Sequence, residues 1–304
     1  MKKTFLTGAL SIALMFAPST TDAAKYFMQG DAQGSKIPYG DNLTVGNYAK
    51  ATDAKIYYEV YGKGEPILIL HGGGVGTPYE LGKILDELKK NHRLIVMSTR
   101  GHGRSEIGHS KLTYRQKADD ALAVLDAAKI SAPVKIFGFS DGAYTAYEIA
   151  ALYPERVERI TAIGAGTLTA GYFPATIDFA ALEHLDAEFI AAQKKIRPEP
   201  ERWQEFLNDY MKFWSEQNIG AETFSKIKCP VLLIVGDEDD HAPVATVLAA
   251  HQLIDNSRLC VVPKAWHTAF LDNFDVTIAA INQFIDAPLK SLTPSKKIEF
   301  NSLR

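Results

Sequence analysis

Residues 136–142 read Ile136-Phe137-Gly138-Phe139-Ser140-Asp141-Gly142, an apolar run that passes directly into Gly-x-Ser-x-Gly. This spacing fits a sharp strand-to-helix turn, whose flanking positions must be nearly free of side chain so that neighbouring backbones can pass. Such a turn holds a serine hydroxyl in the open with a helix N-terminus beneath it. Glycine and serine are common residues. The motif therefore gains weight only if a base, an acid and an anion-stabilising loop stand where the same turn requires them.

Around this turn the chain alternates. Runs rich in Val, Ile, Leu and Tyr at Ile56–Tyr61, Ile67–Leu70, Leu94–Ser98, Val134–Phe139, Val157–Ile163, Val231–Val235 and Leu259–Val262 read as strands. Tyr79–Lys90, Thr113–Ala128, Gly142–Leu152 and Val244–Leu253 carry helical periodicity. The alternation predicts an α/β fold, a mostly parallel sheet covered on both faces, with ligands bound beyond the carboxyl ends of the strands. Residues 24–50 lack periodicity and read as an irregular leader, and Pro288–Arg304 as a polar tail after an amphipathic helix at Val276–Ile285. Residues 167–222 hold no strand pattern but two helical ones, Phe179–Lys194 and Glu201–Gln217, which predicts a helical lid over the strand ends. Its aromatics (Tyr172, Phe173, Trp203, Phe206, Tyr210, Phe213 and Trp214) either line an acyl pocket or fasten the lid to the main domain.

A serine hydroxyl needs a base, and the base needs an orienting partner. His267 follows the Leu259–Val262 run and so falls on the strand-end side of the sheet. After the preceding strand comes Gly236-Asp237-Glu238-Asp239-Asp240-His241-Ala242-Pro243, whose four acids spacing alone does not rank. The chain order Ser140, Asp239, His267 is the one expected with a strand-turn-helix serine. His71-Gly72-Gly73-Gly74 directly follows the Ile67–Leu70 run. Acyl transfer builds negative charge on the substrate oxygen, and a backbone N–H of Gly73 or Gly74 together with that of Asp141 would stabilise it. The loop lacks the Gly-Lys-Ser/Thr ending and the Gly-x-Gly-x-x-Gly spacing of phosphate loops. Asp239, Asp240 and His241 match no firm metal-ligand spacing.

The 304 residues carry 33 Lys and Arg against 36 Asp and Glu, a net charge of −3, with no basic face to suggest nucleic acid. Lys2 and Lys3, the apolar stretch Phe5–Phe16 and the small residues around Thr21–Ala23 read as a signal peptide over 1–23, leaving 24–304 as one exported domain, periplasmic or secreted. The apolar stretch is too short to span a membrane, so no stable membrane anchor is expected. Cys229 precedes one strand and Cys260 ends another, so the sulfurs fall several residues out of register and read as two buried free thiols.

These pieces resemble an α/β-hydrolase of the lid-bearing esterase or lactonase type. The resemblance runs from about Ile56 to Ile285 through Tyr58-Glu59-x-Tyr61-Gly62-x-Gly64-x-Pro66, His71–Gly74, Arg100-Gly101-His102-Gly103-Arg104-Ser105, the Gly138–Gly142 turn, Gly236-x-x-Asp239-x-x-x-Pro243 and His267. It implies the α/β-hydrolase fold with a helical lid, a small ester-like substrate, and neither cofactor nor metal. The family's Gly-x-x-Asp-x-x-x-Pro pattern places the acid on Asp239. Relatives that use aspartate as the nucleophile, dehalogenases and epoxide hydrolases, are excluded by Ser140. Trp266 stands where relatives usually carry glycine and is taken as substrate-facing. In some similar hydrolases the residue matching Asp141 holds the amino group of an aminoacyl ester, which implies a second role for Asp141. The same triad also serves carbon–carbon bond hydrolysis or perhydrolysis in such folds, and a non-catalytic binding protein is a further alternative.

Overall fold

The computed structural model describes residues 25–29 and 34–293, so the signal-peptide segment and the end of the tail lie outside the described residues. Among the described residues eight strands form one sheet: β1 (Gly46–Lys50), β2 (Lys55–Tyr61), β3 (Pro66–Leu70), β4 (Arg93–Met97), β5 (Val134–Phe139), β6 (Val157–Ile163), β7 (Val231–Gly236) and β8 (Ser257–Val262). Their order is β1-β2-β4-β3-β5-β6-β7-β8. β1 and β2 run antiparallel to their neighbours, and all later pairs are parallel.

Alternation along the strands builds two layers. Leu68, Leu70, Ile95 and Ile136 enter the cluster beneath α2 (Tyr114–Ala127) and α3 (Asp141–Leu152), while Ile67, Ile69, Phe137 and Phe139 face the opposite cluster. That second layer is covered by α1 (Gly82–Leu88), α9 (Ala269–Asp272) and α10 (Phe274–Ile285); α8 (Val244–Leu253) packs against β7 and β8. After β3 the chain steps to β4 on one side and returns to β5 on the other. The carboxyl ends of β3 and β5 thus flank a topological switch point, where α/β sheets open a crevice.

Between β6 and β7 lies the all-helical insertion: α4 (Phe179–Leu185), α5 (Ala187–Ile196), α6 (Trp203–Ser215) and α7 (Ala221–Phe224). Its entry and exit are tied by a two-way backbone pairing of Leu168 with Ile219, at 2.9 and 2.8 Å. The single helix expected over Phe179–Lys194 is instead two. Asp186 caps α5 by accepting from the Phe189 N–H at 3.0 Å, and its backbone leaves the helical region there.

Two further expectations are corrected. Residues 24–50 are not wholly irregular, because β1 pairs with β2; only Ala49 of its five residues is buried, so no apolar pattern marks it. Cys229 and Cys260 are free, but each is only partly buried. Cys260 stands opposite Ile234 in the ladder, well beyond Cys229, which is the register offset expected. Among the described residues no helix is long and apolar enough to cross a membrane.

Candidate active site

Ser140 follows the last residue of β5 and precedes the first of α3. Its backbone is held at φ 52° and ψ −119°, a region costly for a residue with a Cβ. The flanking glycines explain how the turn closes. A Cβ on Gly142 would lie 2.3 Å from the Leu70 carbonyl oxygen, and one on Gly138 would lie 2.6 Å from that of Gly142. Both neighbours are backbone, so no side chain is tolerated at either position.

The three residues picked from the sequence meet. Ser140 Oγ lies 2.9 Å from His267 Nε2, and His267 Nδ1 lies 3.0 Å from both carboxylate oxygens of Asp239. That contact places the imidazole proton on Nδ1 and leaves Nε2 free to accept from the serine. Reaching Ser140 from β8 requires crossing the end of β6. At that crossing stands Gly164, where a Cβ would be 2.8 Å from His267 Cε1. Asp239 is buried and also accepts from the backbone N–H groups of His241 at 2.9 Å and Ala242 at 2.8 Å. Burial pushes its carboxyl up, but the His267 hydrogen bond, its charge and the two amides outweigh this and hold the group below the usual carboxylate range.

The loop after β3 adjoins the turn. A Cβ on Gly73 would lie 2.9 Å from Asp141 Cβ and 2.5 Å from Trp214 Cζ2, so the loop packs against Asp141 and the indole. Asp141 is the first residue of α3, whose opening N–H groups have no intrahelical partner. Of the two glycines expected to supply a donor, Gly73 is the one packed on Asp141; Gly74 takes a left-handed φ of 65° and faces the outer ring of Trp214.

The second role implied for Asp141 is not available. Its side chain is buried, with the residue 1% exposed, and its carboxylate is already saturated. It accepts from Trp214 Nε1 at 2.9 Å, Tyr210 Oη at 2.7 Å and Tyr114 Oη at 3.2 Å, and it pairs with the buried Lys117 ammonium. Burial raises the carboxyl, yet the Lys117 charge and these donors keep it ionised, so no position remains for a substrate ammonium. Trp266, the other residue taken as substrate-facing, lies on the surface. It is 54% exposed, does not line the cavity at Ser140, and its backbone N–H donates to Asp272 at 2.8 Å.

That cavity measures about 20 Å³ and is lined by Ser140, Asp141, Tyr144, Gly164, Leu168, Phe173, Trp214, His241 and His267. Six of the seven aromatics named in the insertion divide between the two roles foreseen for them, and Tyr172 is instead exposed. Phe173 and Trp214 line the cavity, whereas Trp203, Phe206 and Tyr210 form the insertion's own core and Phe213 packs on the main one. Sequence reasoning missed Lys117, the partner of Asp141, and weighed His241 only as a metal ligand, not as the ring that stacks on His267 at 4.6 Å. Only a chain of tertiary contacts could have found them.

Among the described residues, ligand atoms of Asp239, His241 and His267 lie within 4.8 Å of one another. The two rings are stacked with planes 21° apart, and the two nitrogens of His267 lie within hydrogen-bond distance of Asp239 and Ser140, respectively. Asp240, the third residue weighed from the sequence, instead hydrogen-bonds the His241 ring at 2.7 Å.

Comparison with known proteins gives a consistent picture. Residues 65–194 match the family model described as alpha/beta hydrolase fold. The chain is 34% identical over 127 residues to a putative carbamate hydrolase, RutD, of Azorhizobium caulinodans; the match covers 41% of this chain and 46% of that protein, under half its length. It is 23% identical over 257 residues to the serine hydrolase BPHL of Homo sapiens, covering 80% of this chain and 87% of that one. Among solved structures, a serine hydrolase involved in carbazole degradation (CarC) superposes with a TM-score of 0.68 at 21% identity, covering 80% of this chain and 99% of that one.

Proposed function

We propose that the chain, which has the α/β-hydrolase fold, is a serine hydrolase cleaving a small carboxylic ester or lactone. One observation carries this reading: the unbroken run Ser140–His267–Asp239, at 2.9 and 3.0 Å, beside the Gly73 and Asp141 backbones. Ser140 Oγ attacks the carbonyl carbon while His267 Nε2 takes the hydroxyl proton. Asp239 holds the imidazole and stabilises its charged form. The developing oxyanion is received by the N–H groups of Gly73 and Asp141. Collapse expels the alcohol, which His267 protonates, and water then hydrolyses the acyl-enzyme.

Lining and volume favour a small, mostly apolar acyl group. A cavity of about 20 Å³ holds roughly one water, so an ester needs the lining around Ser140, which includes Phe173 and Trp214, to open. The saturated Asp141 argues against aminoacyl esters. A chromogenic ester and lactone panel tests the assignment. Ser140→Ala should lower kcat by about 10³-fold or more and abolish fluorophosphonate labelling; wild-type turnover in that variant would sink it.

We also propose that the protein is exported, on the basic, apolar and small-residue pattern of residues 2–23. The intact mass of chain recovered from a periplasmic or secreted fraction should correspond to a start at Ala24. Active chain retaining Met1 in the cytosol would refute export.

A further inference from the structure

The loop that carries Gly73 is held by a group outside the triad. The Gly72 N–H donates to Glu80 Oε1 at 2.8 Å. On the other side of the same residue, the Gly72 carbonyl accepts from His71 Nδ1 at 2.6 Å, and His71 Nε2 in turn accepts the Thr99 N–H at 3.0 Å. The Gly73 carbonyl accepts the Gly76 N–H at 2.9 Å and closes the turn. The loop is therefore suspended from one carboxyl and one imidazole.

Resting on the hydrolase reading, we propose that Glu80 is a positioning residue: it anchors the His71–Gly74 loop so that the Gly73 N–H stays beside the Asp141 N–H. The residue as a whole is half-buried, but its carboxyl turns inward to the side of Gly72 that also meets Phe139. Its neighbours along the chain are Tyr79 and the exposed Lys83 on α1, and across Gly72 stand His71, bonded to the Gly72 carbonyl, and Phe139, whose ring packs on His267. Among the described residues none of these forms an ion pair with it. Burial without a cation pushes its carboxyl up to about 8, against the opposing pull of the Gly72 amide. At neutral pH Glu80 is thus a neutral acceptor. Above that value it becomes a carboxylate under the loop that must stabilise an oxyanion.

Glu80→Gln keeps the acceptor and the shape without the charge, whereas Glu80→Ala removes both. On the full chain, three quantities are followed between pH 5.5 and 9.5: kcat and KM on a short ester, the rate of fluorophosphonate labelling, and the urea midpoint. Glu80→Ala should lose about tenfold or more in kcat and in labelling, with KM within about twofold. Glu80→Gln should restore most of that loss and flatten the alkaline fall of the wild type.

Stability has a definite sign. A carboxyl whose folded value is raised binds more protons in the folded state, so wild-type stability declines as pH rises from the ordinary glutamate value, about 4.3, to about 8. Glu80→Gln should remove that decline. Wild-type kcat in Glu80→Ala with only stability lost, or an unchanged decline of the urea midpoint with pH in Glu80→Gln, overturns this proposal alone. Absence of both turnover and label in the wild type overturns the hydrolase reading and this proposal with it.

Discussion

Asp141 occupies the position directly after the serine, and its carboxylate is taken by one ammonium and three neutral donors. A buried charge is tolerable only when it is compensated, and here Lys117 on α2 compensates it. Lys117→Met should therefore cost about 3–5 kcal/mol in urea unfolding, because it strands a buried carboxylate. Lys117→Met combined with Asp141→Asn should cost less than Lys117→Met alone. If the two losses simply add, the coupling is absent. At this scale the turn was legible in the sequence, since its glycines and serine form a compact spacing, although the contact that requires Gly142 comes from Leu70 on β3. The partner of Asp141 was not, because Lys117 is 24 residues away on another element and nothing in its own neighbourhood marks it.

α6 ties the insertion to the turn. Tyr210 and Trp214, four residues apart and so on one face, both donate to Asp141, while Trp214 also covers Gly73 and lines the cavity. Trp214 is thus both wall and fastening. Trp214→Ala should enlarge the acyl site and raise kcat/KM for a long-chain ester relative to acetate on the order of tenfold, with a lower melting temperature from the lost contacts. An unchanged chain-length preference would show that substrate does not pass the indole. Helix positions here were readable from periodicity, but their ends were not. Asp186 breaks one apolar pattern into α4 and α5 by capping, and β1 exists only because β2 presents an edge to it.

Across the whole molecule, the site gathers where the strand order reverses. β3 and β5 bring the glycine loop and Ser140 together, and β7 and β8 supply Asp239 and His267 from across β6. Local chemistry by itself determined the alternating α/β plan, the serine turn, the glycine loop and the histidine after the last strand. Each depends on period, glycine placement or chain order, which are written along the chain. Resemblance to a family ranked Asp239 among four neighbouring acids, and the tertiary structure places that carboxylate, not the others, against His267 Nδ1. Only tertiary structure decided that Asp141 is closed to a substrate amine, that Trp266 lies on the surface, and that Phe173 and Trp214 line the cavity. Those outcomes turn on which side chains from distant segments fill the same few cubic ångströms, and one-dimensional spacing carries no information about that competition.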